Sequence, residues 1–127
     1  MKGALKVAGL NPEDIDYINA HGTATPNNDL SESHGIKNVF GNTVPPFSST
    51  KAYTGHTLAA SGGIEAVFGI LALNNGSLLP NLNFSQAIEE TGLVPVKKYS
   101  EGNEVKHILS NSFGFGGNNS TIILSKV

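Results

Sequence analysis

The order of apolar and polar residues along the chain predicts helices and strands that alternate. The first helix should end at Gly9, and the second should begin at Asn28 or Asp29 and stop at Gly41, since these residue types cap helices. The pattern predicts, in order, helix 4–10, strand 16–19, helix 28–40, strand 44–48, helix 57–73, a short helix 85–91, and strands 107–111 and 121–124.

The segment 57–73 is small or apolar on nearly all sides, which is typical of a helix buried all round. Glycine inside a helix costs up to about 1 kcal/mol relative to alanine, so its repeated use needs a reason. We expect another helix or backbone to approach this segment closely at the glycines in and near it, namely Gly55, Gly62, Gly63 and Gly69.

Strands that alternate with helices and end in a hairpin predict an α/β protein. We expect one domain, residues 1–127, with a three-layer mixed sheet, a buried helix and a C-terminal antiparallel hairpin. Because Met1 precedes what reads as the middle or end of a helix, we also expect the chain to be a piece of a longer protein.

Composition narrows the function classes. A net charge of −2 gives no basic footprint for nucleic acid or for an anionic membrane. No apolar run approaches the roughly 20 residues of a membrane span, and no signal peptide opens the chain. The chain has no cysteine, which excludes disulfides and thiolate metal sites and agrees with a cytoplasmic setting.

Two histidines stand in polar loops at the ends of predicted strands. His21 lies in the stretch 17–26, YINAHGTATP, and His56 lies in 49–57, STKAYTGHT. A single histidine after a short strand is more often a satisfied polar residue of the core than a catalyst. Two of them, each in a loop dense with glycine and threonine, indicate a ligand-binding site.

A third element, 110–118 with the sequence SNSFGFGGN, completes a set that resembles the C-terminal half of a β-ketoacyl-acyl-carrier-protein synthase of the ketoacyl synthase II type. The resemblance covers about 4–124 and implies a thiolase-like fold. That family's reaction begins on a cysteine, which this chain lacks. The resemblance therefore implies half of an active site, with the nucleophile on a missing N-terminal half.

By this resemblance, His21 and His56 match the two histidines of the family's Cys-His-His triad. Malonyl thioester must lose CO2, and negative charge then collects on the thioester oxygen. Two neutral imidazoles that donate N–H bonds to this oxygen would stabilise the enolate as it forms.

Three charged residues near these loops also match family positions. Lys51 matches a lysine that pairs with a glutamate, here Glu32, and Asp29 lies on the same helical face three residues before Glu32. Taken alone, Lys51 would be a solvated surface residue. The resemblance instead implies a buried Lys51–Glu32 pair that orients the site.

Glu65 lies in the apolar helix, where a carboxylate must be paired, metal-bound or protonated. By resemblance, Asn19, Glu65 and Ser110 match positions that surround a buried monovalent cation in related enzymes. A hydrogen-bonded structural carboxylate at Glu65 is the alternative, and the sequence favours neither.

The remaining matches concern the substrate arm and the acyl pocket. Hydroxyls that match Thr23 and Thr25 bind the amides of phosphopantetheine in the family, although either threonine could simply pin the loop. Phe115 matches a gate residue of the acyl pocket, and Phe113 and Gly114 beside it are expected to contact substrate.

The implied activity is that of an acyltransferase of fatty acid or polyketide elongation, inactive as this chain alone. The implied partners are acyl carrier protein, the missing N-terminal half and a second subunit, with no nucleic acid and no membrane. No covalent cofactor is expected, because the substrate itself carries the phosphopantetheine. Two alternatives stay open: a chain-length-factor-like partner without catalysis, and a carrier-protein-binding scaffold domain.

Overall fold

The computed structural model describes all residues, 1–127. It contains four helices, α1 (Lys2–Ala8), α2 (Pro26–Phe40), α3 (Lys51–Thr54) and α4 (Ser61–Asn75). It contains four strands, β1 (Tyr17–Asn19), β2 (Phe47–Ser48), β3 (His107–Phe113) and β4 (Asn119–Ser125). Two single turns of 3-10 helix, Pro12–Asp14 and Leu58–Ala60, complete the regular structure.

The four strands form one mixed sheet in the order β2-β1-β3-β4. The central strand β1 is parallel to both β2 and β3, whereas β3 and β4 are antiparallel. The predicted mixed sheet and C-terminal hairpin are confirmed. The three parallel strands end at the same edge, which is where α/β sheets hold their ligands.

Helices cover both faces of this sheet, as predicted. Ile18 and Leu109 pack on one face with residues of α1 and α2, in a cluster that also contains Leu5, Ile15, Ile36 and Phe40. Tyr17 and Ile108 point to the other face, where they pack with residues of α4 and the following loop, Ala72, Leu73 and Val105. Because side chains alternate along a strand, neighbouring residues of β1 and β3 serve the two separate cores.

Several boundaries differ from the predicted ones. Helix α2 begins at Pro26, two residues before the predicted cap, because proline is well suited to the first turn of a helix. The predicted helix 85–91 is wrong, and residues 78–100 instead form a loop closed by a Leu78–Ser100 bridge. The long predicted helix 57–73 begins only at Ser61, because Leu58 has a φ of 53°, outside the helical range.

Helix α4 presents Gly62 and Gly69 to the sheet, whereas the close approach expected at Gly55 and Gly63 is wrong, because a Cβ at either would meet nothing within 4 Å. A Cβ built on Gly69 would lie 2.7 Å from Leu124 Cδ1, and one on Gly62 would lie 3.1 Å from Ser112 Oγ. The aliphatic residues Val67, Ile70 and Leu71 point away and are 47–57% exposed. The prediction of burial on all sides is therefore wrong for this chain, because the glycines approach the sheet and the outer face has no layer over it.

The same segment corrects a second expectation. Residues Leu58–Asn75 are long and apolar enough to cross a membrane by length and composition alone, with a mean hydropathy of 1.2. The expectation that no stretch approaches a membrane span is wrong by this measure. In the structure, α4 is one layer of the packed α/β domain.

Candidate active site

The predicted site residues meet where the parallel strands end. His21 follows β1 directly, Lys51 opens α3 after β2, and Phe113 ends β3. His56 lies beyond α3, after Gly55, whose φ of 70° reverses the chain at the end of the helix. Sequence segments that are up to 92 residues apart in the chain therefore converge at one edge of the sheet.

The two imidazoles face each other across a short gap. The ring centroids of His21 and His56 are 5.5 Å apart, and the ring planes are nearly perpendicular at 87°. The Phe113 ring packs against His21 at 5.6 Å between centroids. His21 is only 5% exposed, whereas His56 is exposed on the open side of the site.

Hydrogen bonds assign the same tautomer to both rings. Lys51 Nζ donates to His21 Nδ1 at 3.2 Å, and the backbone N–H of Leu58 donates to His56 Nδ1 at 3.1 Å. A neutral imidazole whose Nδ1 accepts carries its proton on Nε2. Both histidines are therefore arranged as Nε2–H donors.

The surroundings of His21 keep its ring neutral. Burial contributes most, and the charges of Lys51 and His56 add to it, so that the pKa of His21 falls from 6.5 to about 4. A ring with this pKa is neutral at pH 7 and still able to donate. The structure thus supplies the neutral donor that the sequence chemistry requires at this position.

Lys51 pairs with a different carboxylate from the one predicted. Its Nζ forms a buried salt bridge with Glu65 Oε1, and Ser61 Oγ donates to the same oxygen at 3.2 Å. The predicted Lys51–Glu32 pair is wrong, because Glu65 reaches the site from α4 whereas Glu32 belongs to α2 on the other face of the sheet.

Glu32 instead holds the backbone of the His21 loop. Its carboxylate accepts the N–H groups of His21 and Gly22, both at 2.9 Å, and Asn111 Nδ2 at 3.0 Å. Burial raises the pKa of Glu32, and these hydrogen bonds oppose that rise. Asp29, expected beside Glu32 in this structural role, takes no part in the arrangement and accepts only from Asn28 Nδ2, at 3.0 Å.

The three predicted cation ligands lie together beneath the site. Asn19 and Ser110 are cross-strand partners in β1 and β3, and Asn19 Nδ2 donates to the Glu65 backbone carbonyl at 3.5 Å. Asn19 Oδ1 and Glu65 Oε2 are buried without a hydrogen-bond partner. Two orphaned acceptor oxygens fit a cation, although the chain has no cluster of three His, Cys, Asp or Glu residues suited to a metal.

A cleft of about 500 Å³ leads from solvent to His56, and His21 lies behind it. Thr23, Lys51 and His56 line it on one side, and the loop 81–86 lines it on the other. Thr23 Oγ1 and Thr25 Oγ1 are hydrogen-bonded to each other at 2.9 Å, so the pair pins the loop, and only Thr23 lines the cleft.

The glycine-rich turn after β3 places its two phenylalanines differently. Phe113 lies against His21, whereas Phe115 is fully exposed at the tip of the turn. Gly116 and Gly117 both have φ values above 80°, which the L-residues of a regular turn rarely adopt. Gly114 closes the turn with an N–H bond to Asn118 O at 2.9 Å.

Three contributors were missed in the sequence: the Asn111 side chain that donates to Glu32, the backbone N–H of Leu58 and the Ser49 hydroxyl. Glu65 was named, but not as the partner of Lys51. Asn111 in the predicted strand 107–111 and Ser49 just after the predicted strand 44–48 were a usable signal, since buried polar side chains need partners. The Leu58 contribution had no signal, because it comes from a left-handed backbone at an ordinary aliphatic residue.

Comparison with known proteins agrees with this geometry. Residues 1–85 match the family model described as the β-ketoacyl synthase C-terminal domain. The chain is 43% identical over its whole length to a 3-oxoacyl-[acyl-carrier-protein] synthase 2 of Coxiella burnetii, of which it covers 31%.

Solved structures agree as well. The ishigamide ketosynthase/chain length factor is similar with a TM-score of 0.93 and 34% identity, over 99% of this chain and 31% of the other. A type II PKS acyl-carrier protein in complex with its ketosynthase bound to the hexaketide gives a TM-score of 0.92 and 34% identity, with the same coverage.

Fold and histidine pair together define a thiolase-like ketosynthase domain. The chain belongs to the β-ketoacyl synthase family, within which it matches the C-terminal domain. It spans about a third of the length of the curated relatives it matches.

Proposed function

We propose that this chain forms the C-terminal part of an enzyme that condenses malonyl-carrier-protein with an acyl thioester. The observation that carries the proposal is the matched pair of Nε2–H donors on His21 and His56, held within 5.5 Å of each other at the end of a cleft. A scaffold domain or a non-catalytic partner would have no need for two imidazoles fixed in the same tautomer.

The proposed reaction uses these donors at the thioester oxygen of the malonyl group. The bond between the α carbon and the carboxylate breaks, CO2 leaves, and the electron pair moves through the α carbon onto the thioester oxygen. His21 and His56 stabilise the resulting enolate by donating their Nε2–H bonds. The α carbon then attacks the acyl thioester carbonyl, and the thiolate that carried the acyl chain departs.

Lys51 has a supporting role in this scheme. Its ammonium donates to His21 Nδ1 and thereby keeps the proton on Nε2, while Glu65 balances the charge of the ammonium. A positive charge beside the ring also keeps the imidazole from taking up a second proton.

The substrate arm and the partners belong to the same proposal. Thr23 and the loop 81–86 line a cleft with neutral hydroxyl and amide groups, and Thr25 is hydrogen-bonded to Thr23; such groups suit a phosphopantetheine arm. We infer an acyl carrier protein at the cleft mouth, the rest of the synthase on the exposed face of α4, a second subunit as in the family, and a cytoplasmic setting. Phe115 remains the proposed gate and Phe113 and Gly114 the proposed contacts to the acyl chain.

A monovalent cation is proposed beneath the site, held by Asn19 Oδ1, Glu65 Oε2 and Ser110. When bound, it would supply positive charge that offsets the buried carboxylate and holds β1, β3 and α4 together. No step of the reaction passes through it.

The test is a chimera in which residues 1–127 replace the matching C-terminal third of the Coxiella burnetii synthase. We expect CO2 release from malonyl-carrier-protein, and a loss of about 10²–10³-fold in kcat in either His21→Ala or His56→Ala, with KM changing far less. Acyl loading of the cysteine should survive better than decarboxylation. Normal decarboxylation in His21→Ala with only acyl loading lost would refute the proposal.

A further inference from the structure

One hydroxyl group contacts both histidine-bearing loops. Ser49 directly follows β2 and is 7% exposed. Its Oγ donates to the loop after β1, where Gly22 O lies at 3.1 Å and His21 O at 3.4 Å. The same Oγ accepts the backbone N–H of Lys51 at 3.3 Å, at the start of the segment that leads to His56.

The backbones meet unusually closely at this point. Gly22 has a φ of 45°, and a Cβ built on it would lie 2.5 Å from Ser49 Cβ. No side chain other than hydrogen fits at Gly22 without moving Ser49. The close approach therefore makes the separation of the two loops sensitive to how Ser49 is held.

Ser49 is itself fixed from a third direction. Its backbone N–H donates to Asn81 Oδ1 at 2.9 Å, and Asn81 lies in the loop that forms the opposite wall of the cleft. Both the hydroxyl and the backbone of Ser49 are thus bonded, and its position cannot shift without breaking one of these contacts.

We propose that Ser49 is a positioning residue that sets the spacing of the two imidazoles. It fixes the backbone of His21 relative to the backbone of Lys51, so that the Nε2–H groups of His21 and His56 converge on one oxygen. This inference rests on the proposed function, because it concerns the pair of donors that the proposed reaction uses. Ser49 contacts the loops rather than the reacting atoms.

The neighbouring Ser48 provides a matched control. Ser48 is 1% exposed, and its hydroxyl is hydrogen-bonded to the Tyr17 hydroxyl at 2.5 Å. Its hydroxyl bonds to neither histidine-bearing loop, and the Ser48 carbonyl, which accepts the N–H of Ala20 at 2.8 Å, is kept in Ser48→Ala. Ser48→Ala and Ser49→Ala each remove one buried, bonded hydroxyl from adjacent positions, so they differ chiefly in which groups lose a partner.

The first experiment measures amide hydrogen exchange in the 127-residue chain. In Ser49→Ala we expect the amides of Gly22 and Lys51 to exchange about tenfold faster, because Lys51 N–H loses its acceptor and the Gly22 backbone loses the hydroxyl that holds its flanking carbonyls, which loosens its N–H bond to Glu32. Ser48→Ala should leave both rates within about twofold of the parent chain. Asn81→Ala, which frees the Ser49 backbone, should increase the exchange rates of the same two amides by a smaller factor. This variant replaces Ser49→Ala in the experiment if Ser49→Ala does not fold.

The second experiment measures decarboxylation in the chimera. In Ser49→Ala we expect kcat to fall about tenfold with KM within about twofold, because misplaced donors weaken the transition state more than substrate binding. Ser48→Ala should leave kcat within about twofold.

Equal losses of kcat in the two serine variants would overturn the inference, as would faster exchange at only one of the two loops. The two proposals fail separately. A parent chimera without decarboxylase activity refutes the proposed function, whereas the exchange rates decide the role of Ser49 without any activity.

Discussion

The neutral state of His21 predicts how the stability of the chain responds to acid. Folding lowers the pKa of this imidazole from 6.5 to about 4, so the unfolded chain binds the proton more tightly than the folded one. The contribution of His21 to stability is therefore fully present above pH 6.5. It is lost as the pH falls from 6.5 through about 4.

The size of the effect follows from the same two values. A fall in pKa from 6.5 to about 4 corresponds to roughly 3 kcal/mol for a group shielded from solvent. The ring lies against the exposed His56, so solvent screening reduces this figure. We expect about 1–2 kcal/mol of pH-dependent stability from His21.

The assay is urea unfolding of the parent chain and of His21→Gln at a series of pH values between 7 and 4. Glutamine does not titrate, so the difference between the two curves isolates His21 from the carboxylates, including Glu32, whose raised pKa acts in the opposite direction. The parent should lose about 1–2 kcal/mol more than the variant over this range. Parallel curves, or an imidazole that titrates near pH 6.5 by NMR, would refute the reasoning.

Three further predictions concern the ion pair, the exposed helix and the chain alone. In chemical unfolding, Lys51→Met should lower the free energy of unfolding by about 3–5 kcal/mol, because it leaves the Glu65 carboxylate buried without its partner. The double variant Lys51→Met/Glu65→Gln should recover most of this loss, and an equal loss of stability in the single and double variants would contradict the prediction. The exposed side chains of Val67, Ile70 and Leu71 should cause the chain to self-associate, and the double variant Val67→Gln/Ile70→Gln should reduce this association in sedimentation experiments. A parent chain that sediments as a monomer would contradict this prediction. The purified chain should release no CO2 from malonyl-carrier-protein above background, since it has no cysteine and spans only about a third of its relatives' length, which leaves the substrate pocket incomplete. His56-dependent release would count against this.

Local signals predicted most of the fold. The hairpin of β3 and β4 was visible because two apolar strands flank a run of glycines, and the end of α1 was visible because Gly9 adopts the left-handed conformation that glycine favours. The segment 85–91 forms no helix, although Thr91 is buried and its carbonyl accepts Lys37 Nζ of α2 at 3.0 Å. Propensity alone does not stabilise so short a helix.

The surroundings of the histidines were less predictable than the histidines themselves. Both rings stand in recognisable loops, but the partner of Lys51 depends on which face of the sheet each carboxylate occupies. Glu32 and Glu65 lie on helices that cover opposite faces, and a pattern along the chain does not show which face lies nearer the lysine. The left-handed Leu58 was invisible for the related reason that its conformation is imposed by its neighbours.

The different supports of the two rings have a consequence for how the domain can evolve. His21 Nδ1 is held by the Lys51 side chain, so a single codon change at position 51 removes the support of that ring. His56 Nδ1 is held by the peptide N–H of residue 58, which every amino acid except proline supplies. Position 58 can therefore drift among residues that tolerate its backbone conformation while His56 stays oriented, whereas positions 51 and 65 must change together or not at all.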